Sequence, residues 1–272
     1  MAEATEQSRI TTREKLIEAG KEYNLLSDAF MSVALRDIPA CQYVLRILTG
    51  IKNLKVREVR PQYRVSKIES HDAVLDVLAE DETGRLFDLE IQRTDTLDHA
   101  RRTRFYSSMI DSNYLEKGKT YSDLPEVYVI YVSETDLWKA GYTTYELEKK
   151  FKKSNVLYDD GQHVLYINVA VNDGSETAKL MEYFKTADPN DMEHGELSKR
   201  VHFLKCDEGG LSEMCEVTER IYKMGRDEEK QATARNLFKL GIPIETIAKA
   251  VEVNINLVKE WLAGNGNTST AG

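Results

Sequence analysis

Residues 74–93 read VLDVLAEDETGRLFDLEIQR, two runs of alternating character about a polar turn. Successive side chains of a β-strand point to opposite faces, so parity sorts this stretch. Leu75, Val77 and Ala79 share one face with Phe87, Leu89 and Ile91, an apolar surface for a packed helix. Asp76 and Glu80 share the other face with Asp88, Glu90 and Gln92. A slip of one residue about the DETGR turn would put one apolar set among the acids, so the pattern disfavours it. The register that closes Glu80 against Leu86 sets Asp76 opposite Glu90, with Cβ atoms about 5 Å apart. Carboxylates that near repel unless one is protonated or a cation lies between them. Magnesium suits such a place, because it takes one or two protein carboxylates and completes its octahedron with water and phosphate oxygens. Gln92 points the same way from the same strand, where its amide can reach a phosphate oxygen or a water. The pattern equally fits a solvated face of an antiparallel sheet, with Asp81, Glu82 and Asp88 as turn and surface residues. Spacing leaves both readings open.

Outward from the hairpin, the chain reads as an α/β core. Residues 11–24, TTREKLIEAGKEYN, turn helical after a polar start, so 1–24 is expected to be a helical N-terminal segment. In 27–50, Phe30, Val33, Ala34, Val44, Leu45 and Leu48 recur at helical spacing. Pro39 interrupts the run and Gly50 stops it. Residues 54–68 alternate as a strand with Pro61 at an edge or bulge. After the hairpin, Leu97, Ala100, Phe105, Met109 and Leu115 suit a helix lying on the sheet, and EVYVIYVSE at 126–134 is a further strand. The order is helix, three strands, helix, strand. NVLYDDGQHVLYINVAV at 155–171 reads as an added hairpin turning at Asp160-Gly161, and 176–187 as a helix. The expected organisation is therefore a domain over 25–205, a helical C-terminal region over 206–263, and a flexible tail over 264–272.

The net charge of −9 weighs against any nucleic-acid reading unless cations cluster locally. Arg93, Arg101, Arg102, Arg104 and Tyr106 form such a cluster with an interleaved aromatic. Arg101 and Arg104 can face the same way on a helix, towards a phosphodiester backbone or simply towards solvent. His99 reads as a surface residue. Three cysteines, Cys41, Cys206 and Cys215, are too scattered for a disulfide framework or a zinc site. The opening segment lacks the apolar block of a secretory signal, and no run is long enough to span a bilayer, so a cytoplasmic protein without membrane contact is expected.

The ordered set formed by Asp76, ETGR at 82–85, LEIQR at 89–93 and RRTRFYSSMIDSNYLEKGKTYSDLPEVYVIYV at 101–132 resembles the recombination-promoting nuclease and transposase family of the PD-(D/E)XK superfamily. The likeness reaches back to SDAFMSVAL and forward through NVLYDDGQHVLYINV and DPNDMEHGELSKRVHFLK, so it spans most of the chain. It implies a restriction-endonuclease-like core and a magnesium-dependent DNA endonuclease linked to recombination or mobile elements. Asp76 resembles the first acid of the superfamily pattern and Glu90 the second, with the Ile91 carbonyl as a third ligand of a divalent cation. Gln92 stands where the superfamily has Lys, as the family itself does, and it can neither carry charge nor take up a proton. That departure leaves a second reading, a DNA-binding protein that keeps the nuclease fold with weak or absent chemistry. Asp28, in SDAF, matches a family acid at the rim of the site, and it also suits the start of a helix. Arg93, Arg101, Arg104 and Tyr106 become the expected DNA contacts, and a homodimer would suit cutting of both strands.

At 242–262, Ile244, Ile247, Ala248 and Val251 can pack one short helix against Val258 and Trp261 or Leu262 of the next, with Val253-Asn254 between them. The pair resembles a helix-turn-helix. Asn254, Asn256 and Lys259 could touch DNA, but Glu252 and Glu260 would repel it, so packing or dimerisation is the favoured role.

Overall fold

Six strands form one sheet in the order β1-β2-β3-β4-β6-β5. They are Val56–Val65 (β1), Ala73–Asp81 (β2), Leu86–Gln92 (β3), Val127–Ser133 (β4), Thr144–Glu146 (β5) and Gln162–Asn168 (β6). β1, β2 and β3 are antiparallel neighbours, whereas β3, β4 and β6 run parallel and β5 returns antiparallel to β6. This computed structural model describes residues 21–65, 73–93, 97–154 and 156–263, the side chains of 217–225, 228 and 263 apart. The expected helical start within 1–20, the continuation of the first strand to residue 68, and the tail 264–272 lie outside the described residues.

Helices cover the sheet. α1 (Asp28–Ala34) and α2 (Ile38–Thr49) precede β1, and α3 (His99–Tyr114) links β3 to β4. Pro39 sits in the first turn of α2, where its missing N–H costs nothing, and Asp37 caps that helix by accepting from Ala40 N at 2.9 Å. Gly50 ends it in the left-handed region, at φ 71°. α4 (Glu176–Thr186) and α5 (Gly195–Cys206) pack with α2. The chain divides into two compact units, Met1–Cys215 and Glu216–Gly272. α6 (Glu208–Lys239) runs through the division, and α7 (Ile244–Ala250) and α8 (Ile255–Ala263) follow. In the second unit Ala234, Ile247, Ala248, Val251 and Val258 form a small core, with Trp261 and Leu262 packed against it.

Three local expectations change. Val156–Asp160 is not one arm of a hairpin turning at Asp160-Gly161; β6 instead lies between β4 and β5, and Leu157 bridges back to Lys150. The added hairpin is thus β5 with β6, joined by a long excursion.

The strict alternation of β2 also fails. Leu75 shares a core with Leu78, Leu86, Tyr106, Met109, Ile110, Val127 and Val129, and so faces α3. On β1, Arg60 and Tyr63, likewise three apart, both reach α3, through Tyr114 and Asn113. Between them Gln62 adopts φ 51° and drops out of the β1–β2 register together with Asp76. Pro61 supplies no N–H to a ladder, so a bend is tolerated beside it on this edge strand. The bend flips both strands at the level of Asp76.

The helix over 99–114 forms, but its buried stripe is Thr103, Tyr106, Ser107, Met109 and Ile110. Leu97 is 86 % exposed and Phe105 38 %. Met109 of the expected set is buried, and with Tyr106 and Ile110 it packs on Leu75, Leu78, Leu86, Val127 and Val129 of the sheet.

Candidate active site

The β2–β3 ladder runs from Glu80↔Leu86 through Leu78↔Asp88 to Val77↔Leu89. That is the register expected from the turn. Asp81 fixes it, because its buried carboxylate accepts from Thr83 N, Thr83 Oγ1, Arg85 N and Arg85 Nε at 2.7–3.0 Å. At the bend the backbone pairing ends, and side chains take its place. Asp76 N donates to Glu90 Oε1 and Ile91 N donates to Asp76 Oδ2, each at 3.0 Å. The two carboxylates are therefore laced reciprocally to each other's strands.

The acids of the hairpin then fall into two sets. Glu80 is paired with Arg57 and Arg60 of β1, and Asp81 with Arg85. Among the described residues no Lys or Arg forms a salt bridge with Asp76, Asp88 or Glu90. Asp88 was expected at the surface. It is 0 % exposed, because its face of β3 lies under α3 rather than in water. Neither of its oxygens has a donor, and its neighbour Glu90, 4 % exposed, can supply a hydrogen bond only when protonated.

Burial is the largest influence on all three groups. It pushes Asp76 up to about 7, helped by the charge of Asp28 and opposed by the Ile91 N–H, Arg102 and Gln62. It pushes Asp88 up to about 8, with Asp76 adding to the effect. Glu90 is held well above the usual carboxylate range by burial and then by the charges of Asp88 and Asp76. A cluster this averse to ionisation without a counter-charge is the donor set a hard cation would relieve. Asp76, Glu90 and the Ile91 carbonyl are the groups that could hold such an ion. Among the described residues there is no group of three or more His, Cys, Asp or Glu side chains arranged to hold a metal, so water or substrate oxygens would complete its shell.

Asp76, Glu90, Ile91 and Gln92 line a cleft of about 250 Å³ with Asp28, Arg93, Arg102 and Tyr106. Asp28 reaches this wall from the first turn of α1, and burial raises its pKa. Arg102 donates to Gln92 Oε1 at 2.7 Å and to the Tyr106 hydroxyl at 2.9 Å. A guanidinium only donates, so it fixes Gln92 with its carbonyl turned towards α3. Arg93 contacts Glu134 at 2.9 Å. Arg101 and Arg104 are exposed and are not among the residues lining the cleft, whereas Tyr106 is 8 % exposed and turned inward. Sequence reasoning named Arg102 without choosing it and set Asp88 aside. The signal for Arg102 was its spacing from Thr103 and Tyr106, which share its stripe of α3.

Residues 47–236 match the model of a family described as PD-(D/E)XK nuclease family transposase. The chain belongs to that family. The six-stranded sheet with its flanking helices is consistent with the restriction-endonuclease-like fold of PD-(D/E)XK proteins. The span matched to the nuclease family holds Asp76, Asp88, Glu90, Gln92 and Arg102, and it stops before α7 and α8. No curated protein and no solved structure matches the chain. Among the described residues no helix is long and apolar enough to cross a membrane.

Proposed function

We propose that this member of the nuclease family is a divalent-metal-dependent DNA endonuclease serving recombination or a mobile element. The observation that carries the reading is the reciprocal lacing of Asp76 and Glu90 at the one level where the β2–β3 ladder gives way to side chains. A structural pair would be expected to find a cationic partner; this one lines a cleft and lacks any such salt bridge among the described residues. Asp76, Glu90 and the Ile91 carbonyl would hold a magnesium ion, which supplies positive charge to the phosphate and lowers the pKa of a coordinated water.

The chain's own groups position the strand. Gln92 has no charge to offer, but Arg102 sits directly behind it and brings a fixed positive charge to the cleft wall. The pair divides between two side chains what one Lys does in the superfamily pattern: Arg102 provides charge, and Gln92 provides an oriented amide. Arg93 faces the same cleft. Overall acidity is then compatible with DNA binding, because the cations that matter are at the site.

The test is incubation of the purified protein with supercoiled plasmid, with and without magnesium. Nicked or linear product is expected only with the ion, and none from an Asp76→Ala, Glu90→Ala double variant. Cleavage that survives in that variant would remove the assigned site. Salt-sensitive retention of DNA without cleavage would select a binding protein that keeps the fold.

A further inference from the structure

Beside the cleft lies an aromatic surface that the metal site does not use. Trp138 is 45 % exposed. Its ring meets His99 edge-on at 4.8 Å and Tyr166 at 5.4 Å. His99, Arg102, Thr103 and Tyr106 lie along one stripe of α3, so the imidazole against Trp138 and the guanidinium that holds Gln92 come from neighbouring positions of that stripe. Thr103 fixes Tyr166 from the same stripe, with 2.9 Å between their hydroxyls. The sheet repeats this adjacency, since Glu90 pairs with Tyr131 and Tyr131 with Tyr166 across β3, β4 and β6.

The loop that carries Trp138 is braced. Asp136 accepts from Lys139 N and Gly141 N at 2.9 Å and from the Tyr145 hydroxyl at 2.7 Å, and Arg93 of the cleft holds Glu134 at the start of the loop. Folding gains little from fixing an indole whose surface stays half in water. Ligand binding gains much, because a ring already in position pays no ordering entropy when a flat partner stacks on it.

We propose that Trp138, backed by His99 and Tyr166, is a stacking platform for an unpaired base of the strand whose phosphate enters the cleft. This deepens the nuclease reading and rests on it. In continuous duplex the bases are stacked on each other and their faces are closed to an aromatic ring. An exposed, sequence-indifferent π-surface therefore selects DNA with a single-stranded end, flap or gap. Aromatic platforms tolerate every base, because each has a π-face.

The chain has two tryptophans, so full-length protein with Trp261→Phe reports on Trp138 alone, and Asp76→Asn in the same chain prevents cleavage. The probes are a single-stranded thymidine oligonucleotide, a blunt duplex of equal length and an abasic strand of equal length. The single strand should quench Trp138 saturably and bind more tightly than the duplex, and the abasic strand should not quench. Trp138→Ala should weaken single-strand binding about ten-fold, with Trp138→Phe restoring most of it. Affinity for the Trp138→Ala variant is read by anisotropy of labelled strands, with circular dichroism to establish its fold. Equal quenching by the abasic strand, no preference over duplex, or unchanged affinity in a folded Trp138→Ala variant would overturn the platform. Plasmid cleavage by the unaltered protein decides the nuclease reading separately, so a platform without cleavage and cleavage without a platform are distinct results.

Discussion

Asp88→Asn should make the metal-free protein less sensitive to alkali, and the size of the effect follows from the burial of one carboxyl. Asp88 is fully buried, has no donor, and has its pKa raised from 3.8 to about 8. A group whose folded pKa lies above its unfolded value stabilises fully below the unfolded value, and that contribution is lost as pH rises through the folded value. Between pH 5 and pH 8 the folded state therefore holds about one proton more than the unfolded chain, and stability falls as pH rises. Three pH units at 1.36 kcal/mol each give about 4 kcal/mol. This is an upper limit, because Glu90 and Asp76 share the proton load. Asparagine keeps the shape, carries no charge, and its amide can donate to Glu90. Urea unfolding followed by circular dichroism in a chelator, at pH 5, 6.5 and 8, measures the difference. The variant should gain on the wild type by a few kcal/mol between pH 5 and pH 8. A stability difference that stays constant across that range would show that Asp88 does not hold a proton in the folded state.

The same carboxylates should make magnesium a pH-dependent stabiliser. At pH 8 an ion at a hundred times its Kd should add about 2.7 kcal/mol. At pH 5.5, where protons compete for Asp76 and Glu90, calorimetry should show a much smaller rise in Tm, and the Asp76→Asn, Glu90→Gln protein none at either pH. Arg102→Gln should lower kcat for plasmid nicking about 100-fold with little change in unfolding midpoint, and Arg102→Lys should recover part of it, because charge returns without the fork that holds Gln92. Asp81→Ala strands the Thr83 and Arg85 donors at the turn, so it should cost about 2–4 kcal/mol in urea unfolding and leave any metal-dependent cleavage by the folded fraction intact.

The turn and the register from Glu80↔Leu86 to Val77↔Leu89 were determined by the sequence alone, because turn chemistry and the alternation beside it are local properties that a one-residue slip would violate; at Asp76 that ladder has ended, and its meeting with Glu90 through side chains was decided by the bend. Helix punctuation was local too, as Gly50 and Gly241 show at φ 71° and 79°. Parity could gather Asp76, Glu80, Asp88 and Glu90 on one face of the hairpin, but it could not say whether that face would be wet. That depended on α3, which follows in the chain and settles over β3 with its hydroxyl-bearing stripe inward. Its packing buried Asp88, chose Arg102 over Arg101 and Arg104 for the cleft, and left Leu97 and Phe105 outside. An irregularity at Pro61 was expected, but the joint flip of Gln62 and Asp76 was out of reach, since it arises from two strands together rather than from either alone. Local rules fix which residues can meet; only the layer laid over them decides which are deprived of water, and that deprivation raises the pKa of the three carboxylates.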